Sequence, residues 1–158
     1  MGRLKELRKY VDAKLMTMNN IEKRNGAFVH LYGVSLAAVM IAKKRGENEE
    51  LAAMAAMLHD MHAYMSGSYN DHAYLGADLA RKILNELQLT NEEETDMICS
   101  AIYHHDDKLI VDAPFDEVLK GADVIHHTLN DPDKPIKEKE QKRYDLLCQE
   151  FGLREESI

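Results

Sequence analysis

Helical periodicity governs almost the whole chain. Apolar residues recur every three or four positions in nearly every segment, and no stretch alternates like a half-buried strand. That pattern restricts the fold to the all-α class. Leu4, Leu7, Val11, Leu15 and Met18 form a first stripe, ended by Asn19-Asn20. A second helix is expected from about Phe28 to Lys44, with Gly46 as its stop. A third begins near Asn48 and ends around His59-Asp60. After the loop SGSYND, Asp71 is placed to cap a fourth, which carries His72, Leu75, Leu79 and Ile83 on one face. Thr90 and Glu93 read as the capping box of a fifth helix, and Pro114 opens a sixth that runs toward Leu129. Pro132 and Pro135 set off a last helix over about 136–151, with Leu147 and Phe151 on one side. The expectation is a single-domain helical bundle of about six to seven helices over residues 1–158, with its motif-bearing part at about 25–130.

A chain of 158 residues, 45% of them apolar, is long enough to bury a real core. Its net charge of -8 excludes a non-specific binder of nucleic-acid polymers, which needs a basic stripe to displace counterions. A small anionic substrate held by one or two local lysines remains compatible. The two cysteines, Cys99 and Cys148, are far apart and outside any CxxC spacing, so neither a disulfide scaffold nor a thiolate zinc site is expected. A reducing cytoplasm is the natural compartment. The first fifteen residues are amphipathic and charged, without the apolar centre of a signal peptide. Glu6 stands where a myristoylation signal wants Ser or Thr. No apolar run is read as a membrane span.

Against this background seven polar residues stand out. His30, His59-Asp60, His72, His104-His105 and Asp123 each sit on, or at the end of, a segment that otherwise reads as an apolar helix. His72 lies three residues before Leu75, His59 four after Ala55, His105 four after Ala101, and Asp123 four after Leu119. A buried polar group without a partner costs roughly 2–7 kcal/mol, and an unpaired charge costs more. Seven such groups converging on one core need a common partner, and a divalent cation bound by imidazole and carboxylate is the simplest. Neighbours on a helix point about 100° apart, so each doublet can flank one ion from two sides. His62, His126 and His127 are read as ordinary satisfied histidines.

The order of His30, "AAMLHD" ending in His59-Asp60, and "LKGADVI" containing Asp123 resembles the HD superfamily of metal-dependent phosphohydrolases. "HAYLGADLA" around His72 and "AIYHHDDK" around His104-His105 extend the resemblance to roughly residues 25–130. It implies that His30, His59, Asp60 and Asp123 hold one metal. It further implies that Asp60 bridges to a second, completed by His72, His104 and His105. The dinuclear cyclic-dinucleotide phosphodiesterases of that superfamily carry a Gly-Tyr-Pro signature after the His-His pair. This chain reads DDKLIVDAPF there, so that specificity has no support. Many relatives have lysine three residues after the HD aspartate; Ala63 stands here. The closest fit is to small stand-alone bacterial HD proteins.

The expected activity is hydrolysis of a phosphomonoester or phosphodiester of a small, nucleotide-like molecule by metal-activated water. Asp60 is the expected catalytic residue, binding metal and orienting the nucleophile. Lys108 and Lys120 are the expected phosphate contacts. The cofactor is one or two divalent ions, with Mn, Fe, Co, Ni, Zn and Mg not distinguished. No membrane partner is expected, and the oligomeric state is open. An HD-fold di-iron oxygenase and a metal-stabilised binding module without turnover are the competing readings.

Overall fold

A computed structural model describes residues 2–153. The expected range 1–158 includes Met1 and residues 154–158, which lie outside the described residues. Eight helices follow one another: α1 (Arg3–Leu15), α2 (Ile21–Arg45), α3 (Glu49–Leu58), α4 (Met61–Ser66), α5 (His72–Leu87), α6 (Glu92–His104), α7 (Pro114–Asn130) and α8 (Glu138–Phe151). No strand occurs among the described residues. The all-α class read from periodicity is the class observed. The element added to that reading is α4, whose six residues are too few to show a period.

The long α2 lies against both α3 and α7, α6 joins α3, α5 and α7, and α1, α4 and α8 close the outside. Leu51–Leu58 are all buried, so α3 is apolar on every side, as a central helix must be. Leu31, Ile41, Met54, Met57, Ile98 and Leu84 fill the centre around it. Each such side chain contributes about 1.5–3 kcal/mol on leaving water.

Local chemistry sets the ends. Asn20 accepts from the Lys23 amide (2.9 Å) and starts α2. The asparagines read as a stop for the first helix are thus also the start of the second, seven residues earlier than expected. Gly46, at φ 73°, ends α2 in the left-handed conformation that glycine alone adopts without strain. The capping box of α6 is Asn91 with Glu94, one residue on from the expected Thr90 and Glu93. Thr90 instead shares a hydroxyl contact with Thr95 (2.8 Å). Asp71 stands at the N-cap of α5, but with φ 52° and no side-chain cap bond. The inward face of α5 is Gly76, Ala77, Ala80, Ile83 and Leu84, while Leu75 is exposed; Leu129 near the end of α7 is exposed too.

By length and composition α2 could cross a membrane, which the sequence reading did not anticipate. In this fold it carries Leu31, Val34, Ala38 and Ile41 into the core, and it brings His30 against His59, Asp60 and Asp123.

Candidate metal centre

Five structural pieces bring their side chains to one point. His30 comes from α2, and His59 and Asp60 from the joint between α3 and α4. His72 opens α5, His105 caps the end of α6, and Asp123 comes from α7. The Nε2 of His30 lies 3.1 Å from His59 Nε2, 3.2 Å from Asp60 Oδ2 and 3.3 Å from Asp123 Oδ1. His59 Nε2 lies 3.3 Å from Asp60 Oδ2 and 3.6 Å from Asp123 Oδ1. The other Asp60 oxygen, Oδ1, faces His105 Nε2 at 3.3 Å and His72 Nε2 at 3.6 Å. Asp60 therefore stands between two groups of imidazoles, one at each oxygen.

Ring orientation follows from helix ends. The Nδ1 of His59 reaches the Ala56 carbonyl at 2.6 Å, that of His105 the Ile102 carbonyl at 2.6 Å, and that of His72 the Tyr69 carbonyl at 2.9 Å. A carbonyl only accepts, so each Nδ1 carries the hydrogen. In the neutral ring Nε2 is then a bare lone pair, and all three are aimed at carboxylate oxygens. Asp60 Oδ1 and Asp123 Oδ1 are buried without a hydrogen-bond partner among the described residues. Lone pairs facing lone pairs in a dry interior repel unless positive charge sits between them.

The ionisation of these groups expresses the same demand. Burial alone would lower His59, but the charges and bonds of Asp60 and Asp123 overcome it and lift the imidazole to about 10. His30 is raised as well: burial opposes the change, and contacts with Asp123 and Asp60 outweigh it. Burial pushes His105 down, only partly offset by Asp60. The two carboxyl groups, which burial would raise, are held well below the ordinary carboxylate range. For Asp60 the causes are His59, His105 and His30; for Asp123 they are Lys108, His30 and His59. Positive charge is required at this point, as a proton or as an ion. The donor set is the imidazole and carboxylate mixture that first-row divalent metals accept, so the residues fit such a metal.

The HD-domain family profile matches residues 27–151 of the 158-residue chain. This chain belongs to the HD-domain family. No curated protein and no solved structure matches it. The HD doublet is the His59-Asp60 joint, and the match runs on through α8.

Within this HD domain the structure brings together His30, His59, Asp60, His72, His105 and Asp123. It does not bring His104 to them. The His104 Nδ1 bonds to the Ser100 carbonyl (2.8 Å) and lies 3.4 Å from Asp116 Oδ2, while its ring meets Tyr103. Adjacent residues diverge at a helix end, and His105 took the inward direction.

The lysines are corrected as well. Lys120 is wholly buried, and its ammonium donates to the Ile110 carbonyl (2.7 Å) and to Asp112 Oδ2 (2.5 Å), which ties down the loop before α7. It has no free donor arm for a phosphate. Lys108 does reach the cluster. It donates to Asp123 Oδ2 and to the His105 carbonyl, both at 2.7 Å, and is buried there. It orients Asp123 rather than waiting for substrate.

Two residues read as ordinary histidines belong to the site. His127 Nε2 lies 3.4 Å from Asp123 Oδ1, its Nδ1 meets buried Glu140 at 3.0 Å, and its ring stacks on His30. The signal was present in the sequence, because His127 follows Asp123 by four on one helix face. His126 Nδ1 contacts His30 Nδ1 at 3.0 Å. Its ring occupies a notch left by Gly33, where an added Cβ would come within 2.1 Å of His126 Cδ2.

Proposed function

We propose that this HD-domain protein is a metal-dependent phosphohydrolase that cleaves a small, nucleotide-like phosphoester with activated water. The observation that carries the reading is the pair of buried, unpartnered oxygens on Asp60 and Asp123, aimed at oriented imidazole nitrogens. His30, His59, Asp123 and Oδ2 of Asp60 would hold one divalent ion, with His127 beside them. Oδ1 of Asp60, His72 and His105 would hold a second. Such ions supply Lewis acidity, which brings water's pKa from about 15.7 toward 7 and neutralises developing phosphoryl charge. Asp60 fixes the position of the attacking water, since its two oxygens face the two groups. Lys108 and Glu140 hold Asp123 and His127 in register. Tyr64, Tyr69 and Asp106 complete the wall of the cavity above the cluster, about 270 Å³ in volume.

The test is metal analysis followed by a phosphoester panel with Mn, Fe, Co, Ni, Zn and Mg in turn. Turnover of at least one phosphoester in metal-loaded protein, lost with chelator and restored by the ion, is the expected result. Two irons with substrate-dependent oxygen consumption and no hydrolysis would transfer the protein to oxygenase chemistry. Bound metal without any turnover would make it a binding module.

A further inference from the structure

A second cavity, of about 560 Å³, adjoins the one over the cluster. His30, His127 and Lys137 line both, so the two lie side by side. One wall is the outer face of α2, with Asn25 and Val29; the other is the segment between α7 and α8, with Asn130 and Ile136. Charges in the larger cavity are mostly engaged. Asp131 pairs with Lys134 (2.7 Å) and Glu140 accepts from His127. Lys137 is the exception. It is exposed, sits at the junction, and its ammonium has no hydrogen bond or ion pair among the described residues. Lys108 and Lys120, the lysines expected to serve a phosphate, are engaged elsewhere.

We infer that this cavity binds the uncharged leaving group of a phosphate monoester, with Lys137 as the cation at its phosphoryl end. The inference rests on the hydrolase reading above. The cavity over the cluster, about 270 Å³ and lined mostly by imidazoles and carboxylates, suits the phosphoryl group. The larger one falls within the range of about 300–1,000 Å³ typical of small-molecule sites, enough for a sugar with a heterocycle. Amide side chains and two aliphatic walls offer such a group hydrogen bonds and apolar contact. A polyphosphate would need several cations, and one free lysine in a chain of net charge -8 does not supply them. In the reaction the bond between phosphorus and the ester oxygen breaks. Water gives its oxygen to phosphorus and a proton to the leaving alcohol.

Calorimetry on manganese-loaded protein tests this with three probes: adenosine monophosphate, adenosine triphosphate and inorganic phosphate. The monophosphate should bind at least about tenfold more tightly than inorganic phosphate, and more tightly than the triphosphate. Val29→Trp, or Ile136→Trp should the first variant fold poorly, fills the larger cavity. Either should abolish that advantage and leave inorganic phosphate binding unchanged. Lys137→Ala should weaken the monophosphate and inorganic phosphate by a similar factor, about tenfold. Equal binding of monophosphate and phosphate, tighter binding of the triphosphate, or an advantage that survives both tryptophans would overturn the inference. Turnover of the phosphoester panel is scored separately. An advantage without turnover keeps the cavity assignment and removes the hydrolase reading; turnover without an advantage does the reverse.

Discussion

Two polar knots, one half-buried and one buried, lie near each other, and they are built on opposite rules. Lys120, Arg143, Asp112 and Glu117 form one, under the loop that precedes α7. Two cations meet two carboxylates, the loop carbonyls of Lys108 and Ile110 accept from Arg143 and Lys120, and the charges cancel. The other knot has two carboxylates, Asp60 and Asp123, and one fixed cation, Lys108. Its remaining members are histidines whose free nitrogens face oxygen. The first knot is balanced in charge and holds a loop. The second is short of positive charge, and that shortage is what makes it a candidate for chemistry.

Removing a carboxylate from the second knot gives the largest contrast. Asp60→Asn should reduce turnover on the best phosphoester by about a thousandfold or more, since each 1.36 kcal/mol of lost transition-state stabilisation is tenfold. It should also lower bound metal, read by elemental analysis. A folded variant with wild-type turnover would make the knot structural, like its neighbour.

The first knot should respond in stability instead. Lys120→Met leaves Asp112 and Glu117 without their buried cation and should cost about 3 kcal/mol in denaturant unfolding, the low end for a broken buried pair because Asp112 keeps some solvent. Metal content should not change. Loss of metal in this variant would show that the two knots act as one.

A smaller effect separates them by pH. With metal stripped, His59 is raised from 6.5 to about 10, so the stability its proton provides is full below 6.5 and fades as pH rises through 10. Asp60 and Asp123 are depressed, so their contribution is present above the ordinary value of 3.8 and disappears as pH falls through their folded values. His105 and His126 are lowered, so their contribution shrinks as pH falls below 6.5; the range that isolates His59 is from 6.5 to 10, over which the Tm of the chelated protein should decline. Metal-loaded protein should lack that decline, because the ion replaces the proton. Identical profiles with and without metal would remove the charge shortage from the account.

Last comes Gly33→Ala, which should push the His126 ring off His30 and weaken metal binding about tenfold, in line with other outer contacts to metal ligands. Unchanged affinity in a chelator competition would make the notch a packing detail.

Sequence periodicity carried the helices because burial on one face leaves its mark every three or four residues. It also singled out His30, His59, Asp60, His72, His105 and Asp123, which the fold gathers, since each interrupts an apolar pattern. It failed where direction depends on a few degrees or on a long side chain. His104 and His105 are indistinguishable by spacing, and only the end of α6 decides which one turns inward. Lys108 and Lys120 have four methylenes each, so loop carbonyls far from their Cα atoms fixed their ends. Asn91 displaced Thr90 as the cap by a single residue, a distance below what a pattern of side-chain types resolves.

The imidazoles of His59 and His105 hold the carbonyls of Ala56 and Ile102, and this gives α3 and α6 an unusual property. Fraying of a last turn normally affects little beyond its own few residues. Here it would swing a ring nitrogen away from the centre of the molecule. Occupancy of the centre and amide-exchange protection at the two helix ends should therefore rise and fall together. A designer transplanting this centre to another helical scaffold would have to carry the helix terminus with each histidine.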